Sequence, residues 1–427
     1  MNSGLKETDG GTIRQYCHVN SNEDGDRFVG VKADSDKVEV CFPIGYQLPE
    51  TDWEMRADIR NLIRILSDFH LKEERFAAQN SFAGTQATAF PIDAYCTVIE
   101  YYFSLGGKYY VETDPSFRTR ESGKQDWPKT FRNQTPFVQK SSGGCSSFIY
   151  PKFTVRSSVT NGNKAITQIN KYCVYEAFSK IGWLYVSFMP EKPDRCPEIK
   201  SALQIVRDKL KNTNDDRKKK LFRSMLEMLE YKGKRTCEHT FYFGTDHFDY
   251  VWEKMIDRTF GERHKDGYFP RTRWFLDYGR HKENRPLMPD SIMIHNGTYY
   301  VLDAKYYRYG CTGNPLHLPN ASSISKQVIY GEYLEKTYGL GNDRLFNAFI
   351  MPYNKKENVF GLTEPIGVIG EAVSDWKNNK RNYERVQGIV IDTRYLMRHY
   401  AGNSVKIKDL LANCIEAGLN REEIPDR

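Results

Sequence analysis

The stretch from Pro289 to Tyr307 limits what this chain can fold into more than any other. Two β-prone apolar runs, 291–295 and 298–302, flank Asn296-Gly297. Both residues of that pair tolerate positive φ, so the sequence predicts a hairpin with a two-residue turn. Such a turn fixes register: Ile292 faces Val301, Ile294 faces Tyr299, and Asp290 faces Asp303. Facing Cβ atoms lie ~4.5–5.5 Å apart, so two carboxylates placed there repel each other. A divalent cation between them removes the conflict. Strand alternation puts Asp303 and Lys305 on one face and turns Ala304 away, so an ammonium stands beside the acidic pair. Hard oxygen ligands suit Mg²⁺, which keeps several waters and completes its shell with phosphate oxygens. A lysine there can orient or help deprotonate a water aimed at phosphorus.

The acid-x-Lys spacing alone is weak evidence. It recurs at Glu198/Lys200, Asp216/Lys218 and Asp375/Lys377, none of which follows a Pro-Asp and a matched hairpin. A second element strengthens the pattern. In residues 244–260, Thr245 and Asp246 are cap candidates, and Phe248, Val251, Trp252, Met255, Ile256 and Phe260 form a helical stripe. Glu253 lies at the margin of that stripe, from which its carboxylate can reach a site on the sheet.

The rest of the chain reads as α/β, mixed α+β overall. Strands are predicted at 37–46, 108–112, 183–189, 346–353 and 388–391, and helices at 55–69, 166–181 and 200–232. Residues 113–147 read as loop with short elements. Pro190, Pro193 and Pro197 interrupt both helix and sheet, so the expected division is an N-terminal α+β domain (1–190), a linker (191–200) and a C-terminal domain (201–427). No apolar run approaches membrane-spanning length and no signal peptide is evident, so a cytoplasmic protein without membrane contact is expected. Nine cysteines, with no C-x-x-C pair, indicate neither a disulfide framework nor a zinc ribbon, and Cys145 has no histidine partner for nucleophilic catalysis. The net charge of +7 permits a polyanionic partner without requiring one.

The Pro-Asp, hairpin, Asp-x-Lys pattern resembles the PD-(D/E)xK nuclease core, a mixed β-sheet flanked by helices. More narrowly, the chain resembles the LlaJI family of restriction endonucleases. The likeness is carried by Phe42-Pro-Ile-Gly-Tyr46, Gly123-Lys-Gln-Asp-Trp-Pro-Lys-Thr130, Gly244-Thr245 with Trp252-Glu253, Pro289-Asp290, Asp303-Ala-Lys-Tyr306 and Ser325-Lys-Gln327. It implies Mg²⁺-dependent cleavage of double-stranded DNA in a restriction–modification system with a cognate DNA methyltransferase. The implied catalytic set is Asp290, Asp303 and Lys305, with Glu253 as a fourth member and Asp290 and Asp303 as metal ligands. The second acid is Asp rather than the commoner Glu.

The same family is similar to McrBC-type nuclease subunits, which implies an AAA+ NTPase partner. No Gly-Lys pair here has the glycine spacing and following Ser/Thr of a phosphate-binding loop. A homodimer is a further candidate assembly. Candidate DNA contacts are Arg271, Arg273 and Arg280, interleaved with Tyr268, Phe269, Trp274 and Tyr278; Lys124 and Trp127 in the N-terminal part; and Lys326 and Gln327 at the start of a helix whose Ile329 and Tyr330 should pack in the core. The competing readings are an NTP-dependent nuclease subunit and a non-catalytic DNA-binding module with a structural acidic pair.

Overall fold

The structure, a computed structural model, describes residues 13–33, 38–70, 90–140, 146–234, 241–400, 402 and 404–420. Cys145 and Cys237 lie outside them. In chain order the elements are β1 (Cys17–Val19), β2 (Val29–Ala33), β3 (Val38–Phe42), α1 (Asp52–His70), α2 (Ile92–Ser104), β4 (Glu112–Arg120), α3 (Trp127–Asn133), β5 (Phe137–Lys140), β6 (Ser146–Ile149) and β7 (Phe153–Asn161). They continue with α4 (Ala165–Ile181), α5 (Ile199–Lys211), α6 (Asp216–Lys234), β8 (Phe241–Thr245), α7 (Phe248–Phe260), β9 (Arg273–Phe275), β10 (His281–Glu283), β11 (Ser291–His295) and β12 (Thr298–Ala304). The last are α8 (Tyr309–Thr312), α9 (Ala321–Tyr338), β13 (Leu345–Tyr353), β14 (Ile366–Ala372), β15 (Val386–Asp392), α10 (Thr393–His399) and α11 (Val405–Leu419). The mixed α+β class is as expected. Among the described residues, no helix is long and apolar enough to cross a membrane.

Two compact units emerge. Pro91–Thr236 make one, and Leu5–Phe90 with Cys237–Arg427 make the other. The division expected at the proline-rich 191–200 segment does not coincide with this one. The reason is a long-range pairing: β8 joins β2 antiparallel, Val29 opposite Thr245 through Ala33 opposite Phe241. A strand so far along the chain leaves no local signal of its partner.

In the larger unit, a five-stranded mixed sheet runs β11-β12-β13-β15-β14. Its central strand β13 is buried along its whole length, as a strand covered on both faces must be. Val328, Tyr330 and Leu334 of α9 pack on Ile292, Val301, Phe349 and Met351. Ile329 is 41% exposed, so of the two residues expected in the core only Tyr330 is there, beside Val328. The stripe of α7 is buried, and Trp252 Nε1 donates to the Ile350 carbonyl at 3.2 Å. Trp252→Ala is expected to cost ~3–5 kcal/mol, read as a lower urea midpoint, because it empties a large site and loses that hydrogen bond.

The smaller unit packs α2, α4, α5 and α6 around Tyr95, Val98, Cys173, Phe222 and Met225, all almost fully buried. The charged helix expected over 200–232 breaks at 212–215, where Asp215 Oδ1 accepts the Arg217 and Lys218 amides and caps α6. Three expectations fail here. The strand expected over 108–112 is irregular up to Val111, only Glu112 belonging to β4. The stretch expected as loop from 113 opens inside a nine-residue strand, β4 (Glu112–Arg120), because β4 pairs along its length with β7. The 183–189 run is no strand: it opens on a short 3-10 turn that buries Leu184, and Phe188 leans on Phe103 and Phe178 and stays half-exposed.

Candidate active site

The β11–β12 hairpin forms in the expected register, with Ile292 opposite Val301 and Ile294 opposite Tyr299. Asn296 and Gly297 both take positive φ, at 51° and 78°. One step beyond the ladder, Asp290 Oδ2 accepts the Ala304 amide at 2.8 Å, which holds the Asp290 carboxyl at the level of Asp303. Lys305 extends the edge: its amide donates to the Ile350 carbonyl at 2.8 Å, and its Nζ sits 2.5 Å from Asp303 Oδ2.

The electrostatics follow from this crowding. Burial pushes the Asp290 carboxyl up to about 8, reinforced by Asp303, Glu253 and a hydrogen bond shared with Asp303. Glu253, on α7, is raised by burial and by Asp249 and Asp303, against the pull of Lys305. Burial alone would lower Lys305, but the paired Asp303 carboxylate outweighs it and raises the ammonium. Asp290, Asp303 and Lys305 therefore come together at the end of the hairpin, with Glu253 on the neighbouring α7 close enough to sense Asp303 and Lys305. The Asp290 and Asp303 carboxyls share this corner with the Lys305 ammonium, and the Glu253 carboxyl lies near enough to feel their charge, so the group carries two uncompensated negative charges when fully ionised. That excess fits one divalent cation held by oxygen ligands.

Several contributors carried no clear sequence signal. Burial pushes the Tyr330 phenol up to about 12, with help from Asp303 and Asp290, so this core residue borders the site. Its place three residues after Gln327 is the one hint helical spacing offered. Tyr306 is buried against Phe248 and Trp252, and its hydroxyl accepts the Ile44 amide at 2.8 Å, pinning the chain just after Lys305. Lys265 pairs with Asp257 and donates to the Asp290 carbonyl at 3.1 Å.

The remaining candidates are dispersed. Gln327 is fully buried, its side-chain amide without a partner among the described residues, while Lys326 on the same helix is exposed. Arg271 precedes an exposed two-stranded hairpin in which Arg273 pairs with Glu283 at 2.8 Å and Arg280 lies in the turn. Trp274 and Tyr278 are exposed there, whereas Phe269 lies in the core and Tyr268 meets Tyr299 edge-on and Tyr338 at a tilt. Lys124 and Trp127 belong to the 91–236 unit, where Trp127 packs on Phe131 and Phe153.

Comparison with known proteins places this geometry in context. A solved structure described as a refined half-complex from a tetradecameric assembly of Thermococcus gammatolerans McrB AAA+ hexamers with bound McrC contains a similar chain. It is 12% identical, with 90% of this chain and 83% of that chain covered, at a TM-score of 0.36. No curated protein matches. Residues 28–368 match the LlaJI restriction endonuclease family, a span that includes Glu253, Asp290, Asp303 and Lys305. The chain belongs to the LlaJI restriction endonuclease family.

Proposed function

We propose that this chain is a Mg²⁺-dependent, site-specific endonuclease of a restriction–modification system, acting on double-stranded DNA beside a cognate methyltransferase. The observation that supports the reading best is the Asp290–Asp303 pair. Two carboxyls held within hydrogen-bond reach of each other, with Lys305 alongside, are costly unless a proton or a cation joins them. Asp290 and Asp303 would hold the ion, with Glu253 as a third carboxylate. Such an ion supplies a Lewis acid for the phosphoryl oxygen and lowers the pKa of water. Lys305 orients the attacking water and donates toward the charge that develops on the phosphate. The water oxygen bonds to phosphorus, the P–O3′ bond breaks and the 3′ oxygen takes a proton, leaving a 5′-phosphate. One such site cuts one strand, so a homodimer supplies the second cut.

A second reading is favoured by the 91–236 unit. Phe131, Phe137 and Phe148 are each more than half exposed, and Phe131 and Phe148 line one shallow apolar pocket with Trp127. On this reading the surface docks an AAA+ NTPase subunit or DNA, and cutting occurs only in the partnered complex.

The test is a digest of unmethylated supercoiled plasmid by the purified chain with Mg²⁺, alone and with an AAA+ subunit plus NTP, followed by end sequencing. Discrete 5′-phosphate ends from the chain alone are expected of a free-standing enzyme. Cutting only with partner and NTP would move the conclusion to the second reading. DNA binding without cutting in either arm would overturn both in favour of a non-catalytic DNA-binding module.

A further inference from the structure

Away from the carboxylate site, the four-stranded sheet β1-β3-β2-β8 of the larger unit gathers a different donor set. His18 and Cys41 are register partners on the parallel strands β1 and β3, so their side chains emerge on the same side. Asp26, in the β1–β2 loop, closes a triangle: one ligand atom from each of His18, Asp26 and Cys41 lies within 4.8 Å of the others. Glu39 is two residues before Cys41 on the same strand face, and its Oε1 lies 3.6 Å from His18 Nε2. In a tetrahedral zinc site with bonds of ~2.0–2.3 Å, ligand atoms are separated by roughly 3.3–3.8 Å, so small side-chain rotations complete the shell.

We propose that His18, Asp26 and Cys41, with Glu39 as fourth ligand, form a structural transition-metal site that takes Zn²⁺. The mixed nitrogen, sulfur and oxygen donors select zinc over Mg²⁺, which prefers oxygen alone. The supporting shell is in place. Asp26 Oδ2 accepts both the amide and the hydroxyl of Ser21 at 2.7 Å, which orients the carboxylate. Cys41 is almost fully buried, so its sulfur is shielded from competing water and oxidant.

The location gives the site a purpose. The same β1–β2 loop reaches the segment that follows Lys305: Asn22 Nδ2 donates to the Tyr306 carbonyl at 3.2 Å, and Glu23 pairs with Arg308 at 2.5 Å. An ion fastened to Asp26 would brace this loop, and through it the main chain beside Lys305.

Co²⁺ is the probe, titrated into the purified full-length chain in excess Mg²⁺ and followed by absorption. One equivalent is expected to produce the near-ultraviolet thiolate-to-cobalt band and the intense visible bands of tetrahedral Co²⁺. His18→Ala, at a half-exposed position that cannot unfold the core, should weaken Co²⁺ binding by more than about tenfold, since even outer-shell changes cost that much. Cys41→Ser should remove the ultraviolet band, and Asp303→Asn should leave it intact. The absence of a thiolate band, its persistence in Cys41→Ser, or unchanged binding in His18→Ala would each overturn the proposal.

Discussion

Replacing Asp303 with alanine is expected to lower DNA cutting by on the order of 10³-fold or more while leaving DNA affinity within about threefold. Asp303 links the groups of the site, pairing with Lys305 at 2.5 Å and lying within hydrogen-bond reach of Asp290. Without it, a cation loses one of two facing carboxylates and Lys305 loses its anchor. Metal-held charge stabilisation is typically worth several kcal/mol, and each 1.36 kcal/mol is a factor of ~10 in rate. The fold should survive, because the substitution removes a member of a repelling pair rather than a core side chain. Binding should survive because phosphate attraction comes from cations elsewhere. Plasmid nicking with Mg²⁺ reads the first effect, and a gel-shift titration with Ca²⁺ reads the second. Undiminished cutting would exclude Asp303 from the site.

Asp290→Asn should separate stability from activity. In the metal-free fold the Asp290 carboxyl is pushed up to about 8, whereas in the unfolded chain an aspartate titrates near ~3.9. Between these values the folded state holds the extra proton, so the stability of the wild type falls as pH rises from about 4 to about 8. Asparagine keeps the neutral shape without a proton to lose. The D290N variant should therefore show a flatter profile in EDTA and exceed the wild type by a margin that widens toward pH 8. Glu253 is raised in the same direction, so a smaller slope should remain. Mg²⁺ should stabilise the wild type near pH 8 and barely affect D290N, which should also fail to cut DNA. Urea unfolding at pH 4.5 to 8 checks this; parallel profiles for the two proteins would count against the buried protonated acid.

How much of this was legible in the residues depends on the range over which each signal acts. The hairpin was readable because Asn296-Gly297 encodes its own geometry locally, and strand period carried that register to Asp290, Asp303 and Lys305. The α7 stripe was readable for the same reason, and it placed Glu253 at the margin from which its carboxyl feels Asp303. The larger division of the chain was not readable. It rests on β8 crossing back to β2, a pairing dictated by shared burial rather than by local residue pattern. The β4–β7 ribbon is not marked by apolar alternation because, apart from the buried Thr154 and Val155, it is mostly polar and largely exposed. Tyr306 and Lys265 were missed because their roles lie in contacts with Ile44 and with the Asp290 carbonyl, which sequence spacing does not encode.

The most direct test of the central claim is a crystal structure of the chain with Mn²⁺ and duplex DNA, with anomalous scattering used to locate the metal. An anomalous peak is expected between the Asp290 and Asp303 carboxyls, with Lys305 facing the same phosphate. A peak held by other residues, or none there at saturating Mn²⁺, would contradict it.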